Sequence, residues 1–231
     1  GIGNTLGTPL VNKSMNEIRP RKQRYEENIN DIKKYVTNTD DKNHRFNEVT
    51  ANPTGETNPE MWVLSTSVRT AQLAARQGIG YTFGLFPHAS KDKISAGREA
   101  ADVYRAEFTP SAVMKEPRVM AAPFVVVADT NEEASKLAKA LDLWLLGKMN
   151  FSEFKRFPSV ETAEKYTYTV EEVQKLSENR SRMVIGDAKS VKEQLETLSE
   201  ALTADELLLI PLMPKSENRQ HAIECLAAVS Y

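Results

Sequence analysis

The segment Trp62–Thr70 has the residue types and the spacing to bind an anion. Its sequence, WVLSTSVRT, begins as a short apolar strand and passes through a hydroxyl-rich turn into a helix. The first N–H groups of a helix have no acceptor within the helix, so a helix start attracts negative charge. Ser67 and Thr70 add hydroxyl donors, and Arg69 adds a positive charge. A hydroxyl such as that of Thr66 or Ser67 would serve equally well as an ordinary helix N-cap, so local chemistry leaves both interpretations open.

A second glycine-rich segment opens the chain, where Gly1–Pro9 reads GIGNTLGTP and has the composition of a strand exit. A Gly-x-Gly pair alone is a weak signal. Two strand exits of this kind nevertheless suit a cofactor that carries phosphate. The sequence contains neither a Gly-x-Ser-x-Gly elbow nor a Gly-x-x-x-x-Gly-Lys phosphate loop.

Three histidines are candidates for chemistry. His44 lies in a polar loop and His221 on the last helix, and both are predicted to be surface residues. His88 follows a strand directly, and ligands gather where the strands of a parallel α/β protein end, so we assign His88 to the lining of a substrate site. We identify no second ligand at metal spacing beside any histidine, and no metal is predicted.

The single cysteine, Cys225, lies on the apolar face of the last helix, near Ala222, Leu226 and Val229. It is predicted to be an inert core residue. One cysteine can form neither an internal disulfide nor a cysteine-rich zinc site. A reduced thiol fits the cytoplasm, which is the expected location.

Composition excludes several classes of protein. The 231 residues carry 30 Lys and Arg against 32 Asp and Glu, and 40% of them are hydrophobic. The apolar fraction is too high for a disordered chain, and there is no basic excess to bind nucleic acid. The longest apolar runs, Met120–Ala128 and Leu207–Met213, are far shorter than the roughly 18 residues that a membrane span needs. We therefore expect a globular protein that binds neither nucleic acid nor membrane.

Apolar strands alternate with amphipathic helices along the chain. Continuously apolar strands between helices favour a parallel sheet with helices outside, which is an α/β fold. The predicted strands are Met61–Ser65, Tyr81–Phe86, Arg118–Ala128 and Glu206–Met213, with a stub at Gly1–Gly3. The predicted helices are one that ends near Asn38, then Val68–Gln77, Lys91–Phe108, one from Thr130 to about Lys148, Val170–Asn179, one that Ser190 opens, and Glu217–Val229.

Local signals mark several boundaries of these elements. Pro123 interrupts the longest strand, so we expect a bulge or an edge there. Thr130–Glu133 and Ser190–Glu193 have the pattern of capping boxes, each of which would open a helix. Gly78 is expected to end the helix that precedes it.

Several segments together resemble the bacterial-luciferase-like flavin monooxygenases. They are Gly1–Pro9, Pro59–Gly78, Tyr104–Ser111, Val125–Asp129, Ile185–Asp187 and Asp205–Ile210. The stretch STSVRTAQLAARQG, residues 65–78, is moderately specific, and the other segments support it. The similarity spans nearly the whole chain.

This resemblance implies a (β/α)8 TIM barrel, of which the chain would contain the part from the exit of strand four through strand eight. It also implies an enzyme, an FMN-dependent monooxygenase or oxidoreductase that acts with dioxygen on a small organic substrate. A reductase or NAD(P)H would supply the reduced FMN. Residues 1–231 are then one domain, and residues 150–180 are an insertion before the last barrel strand.

The resemblance also assigns residues to the cofactor. In that family the FMN phosphate rests at the turn and helix start after strand five, which places Thr66, Ser67 and Thr70 at the phosphate, with Arg69 nearby. The family usually offers an arginine at the exit of strand four, where this chain has Asn4. The family's catalytic histidine would lie upstream of this sequence. Catalytic residues are therefore unassigned, and the chain alone is expected to be inactive.

Two alternatives remain open. The first is a non-catalytic flavin-binding relative, which the change from arginine to Asn4 would fit. The second is a deazaflavin-dependent oxidoreductase of the same superfamily.

An incomplete barrel has open strand edges. Missing barrel strands would leave such edges at Gly1–Gly3 and Glu206–Met213, and open strand edges pair with other chains. We therefore expect the chain alone either to self-associate, as a homo-oligomer, or to fold only partly, and to bind FMN poorly.

Overall fold

The computed structural model describes residues 21–37, 41–53, 55–86, 92–147 and 157–229. Within these ranges the chain forms seven strands and eight helices. The strands are β1 (Trp62–Ser65), β2 (Gly80–Gly84), β3 (Val119–Ala122), β4 (Phe124–Ala128), β5 (Met183–Asp187), β6 (Glu206–Leu207) and β7 (Ile210–Pro211). The helices are α1 (Arg21–Thr37), α2 (Val68–Gln77), α3 (Lys93–Glu107), α4 (Asn131–Leu146), α5 (Val160–Lys165), α6 (Val170–Arg180), α7 (Ala188–Leu202) and α8 (Ser216–Ala228). Not one of these eight has the length and apolar character to cross a lipid bilayer.

Every strand pairing among the described residues is parallel, as the sequence predicts. One sheet has the order β1-β2-β3-β6, and the other has the order β5-β4-β7. β3 and β4 are two halves of one long strand, and β6 and β7 run beside them in the same order. The fold is therefore α/β. Its described strands form two parallel sheets that share the long strand and do not close into a barrel, which is compatible with the expected incomplete (β/α)8 barrel.

Pro123 separates the two halves of the long strand and marks the point at which its partners change. A proline has no N–H to give to the ladder, so it interrupts regular pairing. Before Pro123, β3 pairs with β2, and after it, β4 pairs with β5. On the other side the Ile210 N–H donates to the Pro123 carbonyl at 3.1 Å, which keeps β6 and β7 attached to both halves. The strand is thus interrupted at Pro123, but the predicted edge is wrong, because β3 and β4 each pair with a strand on both sides.

Two hydrophobic clusters hold the helices on the sheets. The first packs α2 and α3 against β1, β2 and β3 around the buried rings of Tyr81, Phe83 and Tyr104. The Tyr104 hydroxyl donates to the Ile79 carbonyl at 3.0 Å and accepts the Arg118 N–H at 3.2 Å. The second cluster packs α4, α7 and α8 against β4 and β5. Together they fix the strand ends and helix starts that carry the candidate functional residues.

One predicted helix start is confirmed and the other is wrong. The Thr130 hydroxyl accepts the Glu133 N–H at 3.1 Å and is the N-cap of α4. α7, however, begins earlier than the predicted Ser190–Glu193 box. Its N-cap is Asp187, whose carboxylate accepts the Ser190 N–H at 2.8 Å. The carboxylate thus replaces the serine as the cap, and Ser190 lies inside the first turn.

β5 has no counterpart among the predicted strands. Its five residues follow the polar helix α6 after a gap of two residues. The predicted helix at 170–179 is confirmed as α6, whereas α5 is an additional helix. Both pack on α4, where Arg180 Nη2 lies 2.6 Å from Asp142 Oδ2 and Lys139 Nζ lies 3.0 Å from Glu164 Oε1. That residues 150–180 are an insertion stays a prediction.

Gly78 generates the first testable prediction, because it ends α2 in the left-handed region at φ 60° and ψ 46°. A Cβ added there would lie 2.4 Å from the Thr109 carbonyl oxygen and 2.6 Å from the Ser111 Cβ. Left-handed backbone costs an alanine about 1–2 kcal/mol even without such a clash. Gly78→Ala should therefore lower the free energy of unfolding in urea by about 2 kcal/mol or more.

Gly55→Ala is the matched control, because Gly55 is exposed and the nearest atom to an added Cβ is 3.4 Å away. Its effect should stay within about 0.5 kcal/mol. Equal urea midpoints for both variants would contradict the role given to Gly78.

Candidate functional site

The turn from β1 to α2 contains the first candidate site, and Ser67 is its N-cap. Ser67 has extended backbone at φ −125° and ψ 141°, and its Oγ accepts the Thr70 N–H at 3.3 Å. Ser67 Oγ also lies 3.0 Å from Thr70 Oγ1 and 3.3 Å from Ser65 Oγ. Three hydroxyl groups are therefore joined within a single turn of chain.

A buried tyrosine fixes this turn to the core. The Tyr81 hydroxyl lies 3.4 Å from the carbonyl oxygens of Ser65 and of Ser67, to which it donates. Tyr81 is fully buried in the first hydrophobic cluster, and this burial raises the pKa of its phenol, so the hydroxyl keeps its proton. The backbone of the turn is thus positioned before any ligand arrives.

The open end of α2 carries positive potential. The N–H groups of Val68 and Arg69 are the first two of the helix, and neither has an acceptor in the part of the chain that the structure describes. The Arg69 side chain is exposed and pairs with no carboxylate of the described residues. Thr66 is half-buried within the same turn. The structure thus brings together Thr66, Ser67, Arg69 and Thr70 in an arrangement that suits an oxyanion.

Two other predicted site residues, Asn4 and His88, lie outside the described residues. Their assignments to the cofactor and to the substrate site stay predictions. His88 belongs to the short segment between β2 and α3, whose flanking residues Phe86 and Asp92 are described.

A cavity of about 550 Å³ lies between α3, the start of β5 and α7. Two cationic side chains line it, Lys93 and Arg182, of which Lys93 is only 8% exposed. Lys93 Nζ lies 3.4 Å from the Ser181 carbonyl, and Arg182 Nη1 donates to the Phe86 carbonyl at 3.2 Å. Burial, followed by repulsion from Arg182, lowers the pKa of Lys93 to about 8. The sequence analysis does not identify this pair, because the two residues are far apart along the chain.

Asp129, His221 and Cys225 form a third cluster. Asp129 follows β4, and the other two residues are one turn apart on α8. His221 Nε2 lies 2.8 Å from Asp129 Oδ1 and 3.5 Å from Cys225 Sγ, and Sγ lies 4.0 Å from Oδ1. The spacing of four residues between His221 and Cys225 could have revealed half of this cluster. Asp129 is 92 residues away from His221, so only the fold brings it close.

The prediction that Cys225 is a core residue needs correction. Cys225 packs against the second hydrophobic cluster but is only half-buried, and its sulfur faces His221. Partial burial, together with the carboxylates of Asp129, Glu224 and Glu133, raises the pKa of this thiol. Cys225 is thus a protonated thiol in a negatively charged setting.

Comparison with known proteins gives a consistent result. A family model described as luciferase-like monooxygenase matches residues 8–206. The uncharacterized protein YceB of Bacillus subtilis (strain 168) is 34% identical over 220 residues, which are 95% of this chain and 62% of YceB. YwcH of the same organism is 32% identical over 228 residues, which are 98% of this chain and 67% of YwcH. The chain thus spans about two thirds of the length of these relatives.

Solved structures show the same fold. The crystal structure of apo-MsnO8 matches this chain with a TM-score of 0.77 and 23% identity. The match covers 97% of this chain and 65% of the MsnO8 chain. An F420-dependent secondary alcohol dehydrogenase in complex with an F420-acetone adduct matches 95% of this chain and 66% of its own, with a TM-score of 0.56 and 16% identity. At these identities the likeness concerns the fold.

Lys93 generates a prediction on stability and pH. A lysine whose pKa is lower in the folded than in the unfolded chain destabilises the fold below the folded pKa, near 8. That penalty disappears as the pH rises toward the ordinary value of 10.5. Lys93→Met should therefore raise the free energy of unfolding at pH 7, by roughly 1–3 kcal/mol, and give little gain at pH 10.5.

Denaturant titrations at the two pH values measure this difference. Lys175→Met is the control, because Lys175 is exposed on α6, and its effect should be close to zero at both pH values. A gain at pH 7 that persists unchanged at pH 10.5 would contradict the burial penalty.

Proposed function

The chain belongs to the luciferase-like monooxygenase family, and on that premise we propose that it is the cofactor-binding part of an FMN-dependent monooxygenase. The enzyme would use dioxygen to oxidise a small organic substrate. The observation that carries this proposal is the match of the family model over residues 8–206, which includes the hydroxyl-rich helix start of α2. When bound, reduced FMN supplies the electrons that activate dioxygen, and a reductase or NAD(P)H would reduce it.

The described residues at the start of α2 fit the phosphate of FMN. A phosphate needs several donors around one point and a positive field, because it carries up to two negative charges. The N–H groups of Val68 and Arg69 and the hydroxyls of Ser67 and Thr70 supply the donors, and the helix dipole and the Arg69 side chain supply the field. Thr66 lies in the turn that leads into these groups. We therefore assign Thr66, Ser67, Arg69 and Thr70 to the cofactor phosphate.

The remaining parts of the proposed site follow from the direction of the strands. Parallel strands present their carboxyl ends at one edge, where ligands bind in α/β proteins. We propose that His88, which follows β2, lines the substrate site at that edge. Asn4 would occupy the place of the family's phosphate-binding arginine. The function is proposed for the whole protein, which in the relatives is longer than this chain.

Self-association also belongs to the proposal. Among the described strands, β1 and β6 are the outermost two of the first sheet; Leu64 on β1 is 46% exposed, and Leu208, beside β6, is 44% exposed. Apolar side chains at open strand edges favour pairing with another chain. We therefore propose a homo-oligomer.

A deazaflavin is the second candidate cofactor, and a specific fold match favours it. The F420-dependent secondary alcohol dehydrogenase shares this fold with a TM-score of 0.56. The visible absorption spectrum of the purified protein distinguishes the two candidates, because FMN and deazaflavins absorb at different wavelengths. A deazaflavin spectrum would overturn the FMN assignment. The assignment of a phosphate to the start of α2 would then need a separate test.

Removal of both hydroxyls tests the phosphate assignment. In the whole protein, the double variant Ser67→Ala, Thr70→Ala should bind FMN at least about 100-fold more weakly, as measured by fluorescence titration. Each lost charge-assisted hydrogen bond costs roughly 1.5–3 kcal/mol, and about 2.7 kcal/mol corresponds to that factor.

Thr130→Ala is the matched control, because it removes a hydroxyl N-cap of the same type from α4. Both proteins lose about 1 kcal/mol of capping stability, but only the double variant should lose affinity for FMN. If its affinity stays at the wild-type value, FMN phosphate does not lie at this helix start.

Asn4 supplies a gain-of-function test. Asn4→Arg should tighten FMN binding, because a guanidinium can meet a phosphate with two parallel hydrogen bonds. Asn4→Gln, which adds length without charge, should leave the affinity unchanged. Equal or weaker FMN binding by Asn4→Arg would show that the exit of strand four is arranged differently.

A further inference from the structure

We propose that Asp129, His221 and Cys225 form a binding site for a zinc ion between the end of β4 and α8. The three side chains offer a carboxylate oxygen, an imidazole nitrogen and a sulfur, which are the three ligand types that Zn²⁺ takes in proteins. This site lies outside the cofactor residues proposed at α2, and it is independent of the proposed function.

The geometry of the three atoms fits a tetrahedral ion. Their separations are 2.8 Å between Asp129 Oδ1 and His221 Nε2, 3.5 Å between Nε2 and Cys225 Sγ, and 4.0 Å between Sγ and Oδ1. Bonds of about 2.0–2.3 Å to one zinc place such ligands about 3.3–3.6 Å apart. The separation between Nε2 and Sγ already fits this range, and the other two need to change by only about 0.5 Å. A water can take the fourth position because His221 and Asp129 are exposed.

The same geometry argues against a nucleophilic thiol. In a Cys-His-Asp relay the carboxylate holds one ring nitrogen while the other nitrogen takes the thiol proton. Here Asp129 and Cys225 both face Nε2 of His221, so the ring cannot relay a proton between them. Three atoms directed at one point are arranged as ligands around a shared cation.

The surroundings also favour a cation. Glu224 Oε2 lies 4.0 Å from His221 Nδ1, on the side of the ring away from the cluster. At this distance the contact is an ion pair and not a hydrogen bond, and its negative charge favours a proton on Nδ1, which leaves Nε2 free to bind metal. Glu133 adds a further negative charge near Cys225.

Zinc bound here would link two elements that are far apart in sequence. Asp129 ends the long strand, whereas the other two ligands lie on the last helix. A ligand that binds only the folded state stabilises it by an amount that grows with the logarithm of the ratio of ligand concentration to dissociation constant. Zinc should therefore raise the thermal unfolding temperature of the chain, whereas Mg²⁺, which prefers oxygen ligands, should leave it unchanged.

The single cysteine of the chain makes the test specific, because a thiol reagent reports on Cys225 alone. We expect Zn²⁺, added as the metal alone, to slow the reaction of Cys225 with a disulfide reagent at about one equivalent. A chelator should restore the rate. If stoichiometric Zn²⁺ leaves the rate unchanged in the wild-type protein, the proposal is overturned without the use of any variant.

Variants then identify the other two ligands. His221→Gln and Asp129→Asn should each raise the zinc concentration that protects Cys225 by at least about tenfold. Loss of a residue that only orients a metal ligand weakens metal binding by that factor, and loss of the ligand itself should weaken it at least as much. Their side chains are 47% and 69% exposed, so we expect both variants to fold. His44→Gln is the control, because it replaces a histidine that belongs to no ligand cluster of the described residues. It removes a histidine that lies 3.0 Å from the Asp31 carboxylate.

Cobalt provides an independent readout. Co²⁺ bound to a thiolate in a tetrahedral site has an intense sulfur-to-metal absorption, which Cys225→Ser should abolish. Two results would show that the metal binds elsewhere and would overturn the proposal. One is zinc protection of Cys225 in both ligand variants that equals that of the wild-type protein, and the other is a cobalt spectrum that Cys225→Ser leaves intact.

Discussion

The parallel pairing of the long strand β3–β4 is the constraint on which the structure depends. This strand forms hydrogen bonds on both sides along its length, with β2 and β6 before Pro123 and with β5 and β7 after it. Because each of these partners runs in the same direction, every described strand delivers its carboxyl end to one edge. The hydroxyl turn after β1 and Asp129 after β4 are both such exits. The residues with candidate chemistry therefore follow from strand direction.

Charge decides what each exit can bind. After β1 the open N–H groups of α2, two hydroxyls and Arg69 create a positive site, in which Arg69 pairs with no described carboxylate, and this suits a phosphate. After β4 a carboxylate and a thiol meet an imidazole, with Glu133 and Glu224 close by, which suits a cation. The two sites have opposite polarity, so each is expected to select a different class of ligand.

Local signals account for the parts of the fold that the sequence predicts correctly. Ser67 and Thr130 act as N-caps and Gly78 as a C-cap, because each satisfies groups within four residues of itself. Pro123 interrupts its strand for an equally local reason. The hydroxyl-rich turn is likewise identified from the residue types within the turn itself.

The features that the sequence does not predict depend on contacts between distant segments. β5 becomes a strand because β4 pairs with it, and Asp187 at its end takes the capping role assigned to Ser190. Lys93 meets Arg182, and Asp129 meets His221, only after the sheet has formed. Pairs of this kind leave no spacing pattern in a single sequence.

The central claim is that the start of α2 holds the phosphate of FMN, and the affinity ratio of FMN to riboflavin tests it most directly. The two flavins share the same ring and differ in the phosphate, so their dissociation constants isolate its contribution. Fluorescence titration of the whole protein should give FMN binding at least about 100-fold tighter than riboflavin binding, since two or more charge-assisted hydrogen bonds depend on the phosphate. Equal dissociation constants would contradict the claim.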